Sequence, residues 1–320
     1  MRIAVIGGTL FIGRAVVEEL AAAGHAVTIV HRGEHEPDDL PSVNHVHADR
    51  RDTAAVRAGL QEADPEAVID MRAMVTADAE GLLAAAPAKA RLVVISSIDV
   101  YEAFAALLAN TESEPVPLDE SSRLRTARYP FKGAVPGRDD YDKLDVEDLV
   151  LPRGATVLRL PMVYGERDYQ RREEFILRRV RANRDRIPVG AGTWLPARGY
   201  VRDVARAIRL AAESPDVGGE VFNLSDRYTH TNGLWAQMIL DAAGSKAQLV
   251  RVEDALLPPD LGSTAALKQH IVATPAKAIR RLGWEPGEPA KNLAASVRWH
   301  LANPPPAEDP DFSADDAALK

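Results

Sequence analysis

The apolar positions of the first hundred residues fall in short unbroken runs, separated by segments with helical spacing. Arg2–Ile6, Ala26–Val30, Ala67–Asp70 and Arg91–Ser96 are apolar nearly throughout, as strands covered on both faces of a parallel sheet should be. Between the first two, RAVVEELAAAG has helical periodicity and ends at Gly24, a helix stop. Strand, helix and strand in this phase predict a right-handed βαβ unit.

The rhythm breaks over residues 102–137. TESEPVPLDE and RYPFKGAVPG are polar and proline-rich, and read as long loops. Loops of that length in a compact domain usually carry function or move. Helical pattern resumes near Tyr141. A strand ending in a loop follows at 155–165, a helix over Glu173–Asn183, another over Val201–Glu213, a late strand at Glu220–Leu224, and mostly helix over 274–300. From Asn303 the chain holds PPP and five acidic residues, a composition that predicts a disordered tail.

Composition narrows the function classes. The 320 residues are enough for one large α/β domain with an added lobe. No cysteine is present, which excludes disulfides, a thiolate nucleophile and a cysteine-based metal site. A formal charge of −8 disfavours broad attraction to nucleic acid. No apolar stretch is long enough to span a bilayer, and Met1 runs straight into a strand pattern rather than a signal peptide. The expectation is a cytoplasmic protein without a membrane partner.

GGTLFIG, residues 7–13, directly follows the first strand and opens the first helix. In that position Gly7 permits a tight turn. The N–H groups of Gly8, Thr9, Phe11 and Ile12 then surround the helix start, where the dipole favours a pyrophosphate. Gly13 lets the helix approach the sheet. The expected fold is therefore α/β, a Rossmann-type doubly wound parallel sheet with a smaller C-terminal substrate lobe. Residues 1–165, rejoined by about 200–225, form the dinucleotide-binding domain, 166–199 and 226–302 the substrate lobe, and 303–320 the tail. The second strand ends in His31 and Arg32, where an NAD-binding fold usually has an acidic residue on the adenine ribose. Arg32 would suit a 2′-phosphate, favouring NADP slightly over NAD. Asp49 and Arg50, after the third strand, are placed to flank the adenine.

These residues resemble an atypical extended short-chain dehydrogenase/reductase, the NAD-dependent epimerase/dehydratase family. The glycine loop resembles that family's TGxxGxxG, with Leu10 in place of the middle glycine. GGTxFIG followed by HRG resembles the branch that includes chloroplast stem-loop-binding proteins. VVISSIDVY (93–101), LRLPMVYG (158–165), YVRDVARAI (200–208), EVFNLS (220–225) and KAIRRLGWEP (277–286) resemble five further family elements in order. Together they span about residues 1–300.

The resemblance implies a tyrosine acid/base, a lysine four residues later that lowers its pKa and holds the nicotinamide ribose, and a serine or threonine that orients the substrate. Ser97 and Lys143 match the serine and lysine positions, with Glu147 one helical turn beyond the lysine. The tyrosine position holds Asp139, and the nearest tyrosine, Tyr141, is two residues from Lys143. On a regular helix two residues stand about 200° apart. The two side chains can share a site only if Tyr141 precedes the first regular turn, with Asp139 or Asp140 as N-cap. Three readings stay open: Tyr141 acts from its displaced position, another loop residue such as Tyr129 replaces it, or the tyrosine role is lost.

On the substrate side, QRREEFILRRVRANRDR (170–186) holds seven arginines. They read either as a diphosphate clamp or as a solvated helix face paired to Glu173 and Glu174. Arg198, just before YVRDVA, is the single best candidate for a substrate phosphate. His45 and His47 alternate on one strand face, a conceivable metal pair with no further ligand close in sequence, so no metal is assigned. Two functions compete. One is an NAD(P)-dependent epimerase, dehydratase or reductase acting on a sugar-like, nucleotide-sugar or small carbonyl substrate. The other is a cofactor-binding sensor, scaffold or RNA-binding protein of the same fold. The resemblance also implies a homodimer.

Overall fold

A computed structural model describes residues 1–306 and 311–320. In chain order its strands are β1 (Arg2–Ile6), β2 (Ala26–His31), β3 (Asn44–His47), β4 (Ala67–Asp70), β5 (Arg91–Ser97), β6 (Thr156–Leu160), β7 (Met162–Tyr164), β8 (Arg186–Val189), β9 (Arg198–Tyr200), β10 (Val221–Asn223) and β11 (Gln248–Arg251). Seven of them form one sheet in the order β3-β2-β1-β4-β5-β6-β10, with every neighbouring pair parallel. The order reverses at β1, so the crevice at the carboxyl ends of β1 and β4 is where ligands bind in such sheets.

The strands feed two apolar layers by strict alternation. Ile3, Val5, Ile69, Val93, Ile95 and Leu158 face one layer, which holds helices α1 (Phe11–Ala22) and, past the middle of the chain, Val201–Glu213. Ala4, Ile6, Val68, Val94 and Val157 face the other layer, with α2 (Thr53–Ala63), α3 (Thr76–Ala85) and the helix Lys143–Val150. Period-two side-chain direction explains why the strands read as continuous apolar runs: both faces are covered.

Within 102–137, ahead of the two segments expected to be loops, residues Glu102–Leu108 form a short helix, α4, because Ala103 and Ala106 give it a face that buries. The remainder up to α5 (Lys143–Val150) is irregular, as the prolines require. The later helices are α6 (Glu174–Arg181), α7 (Val201–Glu213), α8 (Asn232–Ala242), α9 (Ala276–Leu282) and α10 (Pro289–Ala302). The parallel pairs β8–β11 and β7–β9 complete the substrate side.

The tail is corrected in part. Residues 307–310 lie outside the described residues, but 313–318 form a helix, α11 (Ser313–Ala318), docked on α6. The Arg179 guanidinium is fully buried between Asp315, at 2.6 Å, and Asp260, at 2.7 Å. The Phe312 ring lies under Arg178, Arg179 and Arg184. Acidity that looked like a reason for disorder is matched by the arginines of α6.

Candidate active site

The cofactor end is made of backbone. Gly7 has φ +88°, and a Cβ there would stand 2.5 Å from Arg72 Cγ. A Cβ on Gly13 would collide with the Gly7 carbonyl oxygen, so α1 can reach the sheet only with glycine at that position. Gly8 packs against Val17 and Ile29, and Thr9 is buried. Leu10 is the N-cap of α1. It supplies no side-chain cap, and the first turn has no acidic residue. The N–H groups at Phe11 and Ile12 are thus left for an anion, in the dipole's favourable field. A glycine cradle with an uncapped helix start fits a dinucleotide pyrophosphate.

At the adenosine end the sequence-predicted residues separate. Arg32 is exposed and pairs with Glu34 at 2.6 Å. Asp49 accepts from the Arg51 amide. Arg50 turns inward instead of standing free beside an adenine: it makes two bonds to buried Asp70, at 3.0 and 2.9 Å, and a third contact to Asp78. His31 faces His45, His47 and Glu36. The sequence reading passed over Arg72. Its side chain lies over Gly7, is exposed, and has no carboxylate partner among the described residues.

The tyrosine corner lies at the carboxyl end of β5. Tyr141 precedes α5, so the helical-angle conflict with Lys143 does not arise. The N-cap is Asp142, not Asp139 or Asp140: its carboxylate accepts from the Leu144 amide. Asp142 also takes two hydrogen bonds from Arg125, at 2.9 and 2.7 Å, and one from the Tyr129 amide. Arg125 in turn donates to the Asp99 carbonyl oxygen. This buried pair fixes the residue that follows Tyr141 and so aims the Tyr141 ring.

Tyr141 is buried, and its hydroxyl donates to Asp99 Oδ2 at 2.7 Å. Burial pushes the phenol well above its ordinary pKa, the Asp99 carboxylate pushes the same way, and the Ser97 hydroxyl works weakly against both. Asp99 is itself raised by burial, against the pull of Tyr141, Arg125 and Lys143. Its Oδ1 is buried with no hydrogen-bond partner among the described residues. Lys143 donates to the carbonyl oxygens of Ala73, at 2.5 Å, and Ile95, at 2.9 Å. Burial pulls it down to about 8, opposed by Asp99 and Asp70. Its ammonium stands 6.0 Å from the Tyr141 ring centre.

The neighbours of the expected site are sorted by this geometry. Ser96 donates to Glu147 at 2.5 Å, and Glu147 is held by Arg159 in a buried network that reaches Tyr101 and Asn223. Glu147 is therefore no surface partner of Lys143, and Ser97 is the serine on the Tyr141 side. Asp139 is exposed and accepts from the Gly133 amide. Tyr129 is exposed, with its hydroxyl turned toward Asp145. Neither reaches the corner. Phe131 and Arg138 cover the Tyr141 ring, at 5.3 and 5.6 Å between centres.

On the substrate side a small cleft open to solvent is lined by Met162, Tyr164, Arg172, Arg198 and Trp235 among others. Arg198 lies 4.3 Å over the Trp235 ring and bonds Asn232 and the His230 carbonyl oxygen. Burial lowers it to about 9. Of the seven arginines at 170–186, Arg172 reaches this cavity. Arg178, Arg179 and Arg184 hold Asp260 and the tail, and Arg181 pairs with Glu174. Glu173 is buried and accepts from Ser296 instead of from an arginine.

A model of the NAD dependent epimerase/dehydratase family matches residues 3–225. The chain belongs to this family. The family is that of the NAD-dependent epimerases and dehydratases, which are enzymes, and the seven-stranded parallel sheet matches the fold of solved epimerases. Over 340 aligned positions, covering 99% of this chain and 84% of the relative, the sequence is 28% identical to a chloroplast stem-loop binding protein of 41 kDa from Arabidopsis thaliana. The fold is similar to that of a UDP-glucose 4-epimerase from Thermotoga maritima, solved with UDP-glucose. That match has a TM-score of 0.72, 22% identity, and covers 95% of this chain and 99% of the other. It is similar also to a UDP-glucose 4-epimerase from Stenotrophomonas maltophila with bound NAD and formylated UDP-arabinopyranose (TM-score 0.70, 19% identity, 95% and 98% covered). No helix among the described residues is long and apolar enough to cross a membrane.

Asp99 is the chief residue of this family member's candidate site that sequence reading missed. The signal was an acidic residue inside VISSIDVY, between the apolar Ile98 and Val100, where a charge needs a partner.

Proposed function

We propose that the protein is an NAD(P)-dependent epimerase or dehydratase of a nucleotide sugar, in which Tyr141 and Asp99 handle the substrate proton as a pair. The observation that carries this reading is the 2.7 Å bond from the Tyr141 hydroxyl to Asp99 beside Ser97. A phenol whose pKa is raised cannot serve as a resting phenolate base. It can pass a proton on: as Tyr141 Oη takes the proton of a substrate hydroxyl, its own proton moves to Asp99 Oδ2. Run in reverse, the pair protonates a carbonyl oxygen. The Ser97 hydroxyl donates to the same substrate oxygen. The Lys143 charge favours the ionised form of the pair.

The glycine loop, the start of α1 and Arg72 would hold the pyrophosphate, and Lys143 the nicotinamide ribose. Bound there, the dinucleotide supplies a nicotinamide ring that accepts and returns a hydride. Arg32 would hold a 2′-phosphate, favouring NADP over NAD. Arg198 and Arg172 supply charge for a diphosphate, with Trp235 and Met162 as the apolar wall that such pockets need.

The test is a panel of UDP- and dTDP-hexoses incubated with each dinucleotide, with products identified by chromatography. Conversion of at least one nucleotide sugar is expected, with no conversion by Arg198→Met. Turnover of simple carbonyl compounds alone, with Arg198→Met fully active, would replace this reading with a reductase.

A further inference from the structure

The end of β2, the turn that follows and the adjacent strand β3 place four metal-binding side chains together. His31 ends β2, and its register partner on β3 is His47. His45 lies two residues earlier on β3, on the same face as His47. Glu36 comes from the intervening turn. The four ligand atoms, one from each residue, all lie within 4.8 Å of one another. His31 Nε2 is 2.8 Å from His45 Nδ1 and 3.4 Å from Glu36 Oε1, His45 Nδ1 is 4.0 Å from that oxygen, and His47 Nε2 contacts it directly. A tetrahedral ion with bonds of about 2.0 Å holds its ligand atoms about 3.3 Å apart. The observed spread brackets that value.

We propose that His31, His45, His47 and Glu36 form a binding site for one divalent transition-metal ion, of the class that zinc represents. Three imidazoles and one carboxylate are the donor set such ions prefer, and one that magnesium and calcium do not. All three histidines sit on two adjacent paired strands, so the sheet holds three of the four ligands and the turn supplies Glu36. Three imidazoles with ring centres 5.0, 5.0 and 6.3 Å apart gain little from one another; a shared cation gives each a partner.

Binding has a built-in structural consequence. The Gly33 amide donates to His31 Nδ1 at 3.2 Å, so the neutral ring carries its hydrogen on Nε2. An ion can bind Nε2 of the neutral ring only if that hydrogen moves to Nδ1, and the Gly33 contact must then open. The Gly33 turn follows Arg32, so ion binding would also shift the residue expected to meet a 2′-phosphate.

Zinc chloride titrated calorimetrically into the purified full chain tests the proposal, with magnesium chloride as the comparison. One zinc per chain is expected, with no saturable magnesium binding. His45→Ala, His47→Ala and Glu36→Gln should each weaken zinc by about tenfold or more, whereas His35→Ala, a neighbouring exposed histidine outside the cluster, should not. His47 and Glu36 are exposed, so their variants keep the fold, and an unchanged thermal melt of the apo protein checks this. In a proton–nitrogen spectrum the Gly33 amide should shift as zinc saturates. Absence of saturable zinc binding, or equal affinity in the three ligand variants and the wild type, overturns the proposal.

Discussion

The glycine loop and the tyrosine corner stand two strands apart in the same sheet, and they are built in opposite ways. The loop is seven consecutive residues whose task falls to backbone: three close approaches that exclude a Cβ, and N–H groups at an uncapped helix start. The corner gathers Ser97, Asp99, Arg125, Tyr141, Asp142 and Lys143 from three segments, and its task falls to side chains in a buried ion-pair network. A local device tolerates almost no change but needs no help from elsewhere. In a dispersed device the direction of one side chain depends on others: the buried Arg125–Asp142 pair fixes the residue next to Tyr141 and so the direction of its ring.

The contrast can be broken first at the loop. Gly13→Ala puts a methyl against the Gly7 carbonyl oxygen. It should abolish NAD(P)H binding in a nucleotide fluorescence titration and cost about 3 kcal/mol of stability, as overpacking does. Wild-type affinity would mean that the loop is not the cofactor cradle.

At the corner, Asp142→Ala leaves the Arg125 cation buried and α5 uncapped. Denaturant unfolding should show a loss of about 3 kcal/mol or more. Cofactor affinity of the folded fraction should fall far less than in Gly13→Ala, and an equal fall would mean that the two regions are not independent.

A smaller effect sharpens the loop's specificity. Arg32→Ala should weaken NADPH by about tenfold, the scale of one hydrogen bond to a charged group, and leave NADH unchanged. Equal losses for both would remove the 2′-phosphate argument.

The pH dependence separates a titrating corner from a loop that does not titrate. Lys143 is at about 8 in the folded chain, against 10.5 for an ordinary lysine. Between these values the unfolded chain holds the proton and the folded chain does not, so this group adds stability as pH rises from about 8 toward 10.5. Lys143→Met should lack that rise when melting temperatures are compared across the range. Parallel curves for wild type and variant would show that Lys143 is not depressed.

The same contrast explains what could be read from the sequence. The strands, α1, α7 and the glycine loop were legible because period-two and helical spacing act over a few residues. Lys143 and Ser97 were placed by motif, and Tyr141 was left undecided. What was hidden depends on partners far along the chain. Asp99 meets Tyr141 across 42 residues, Arg179 meets Asp315 across 136, and Arg50 turns away to Asp70. The histidine pair on β3 looked incomplete because its third and fourth ligands are brought in by the β2–β3 pairing. Charge in such cases predicts that a partner exists, not which one.

The central claim is that the displaced tyrosine works through Asp99. Turnover of the converted nucleotide sugar by Tyr141→Phe and Asp99→Asn tests it most directly, with cofactor affinity measured alongside. The account predicts a fall in kcat of about a hundredfold or more in each variant, little further loss in the double variant, and unchanged cofactor affinity. Wild-type turnover in Tyr141→Phe would contradict it.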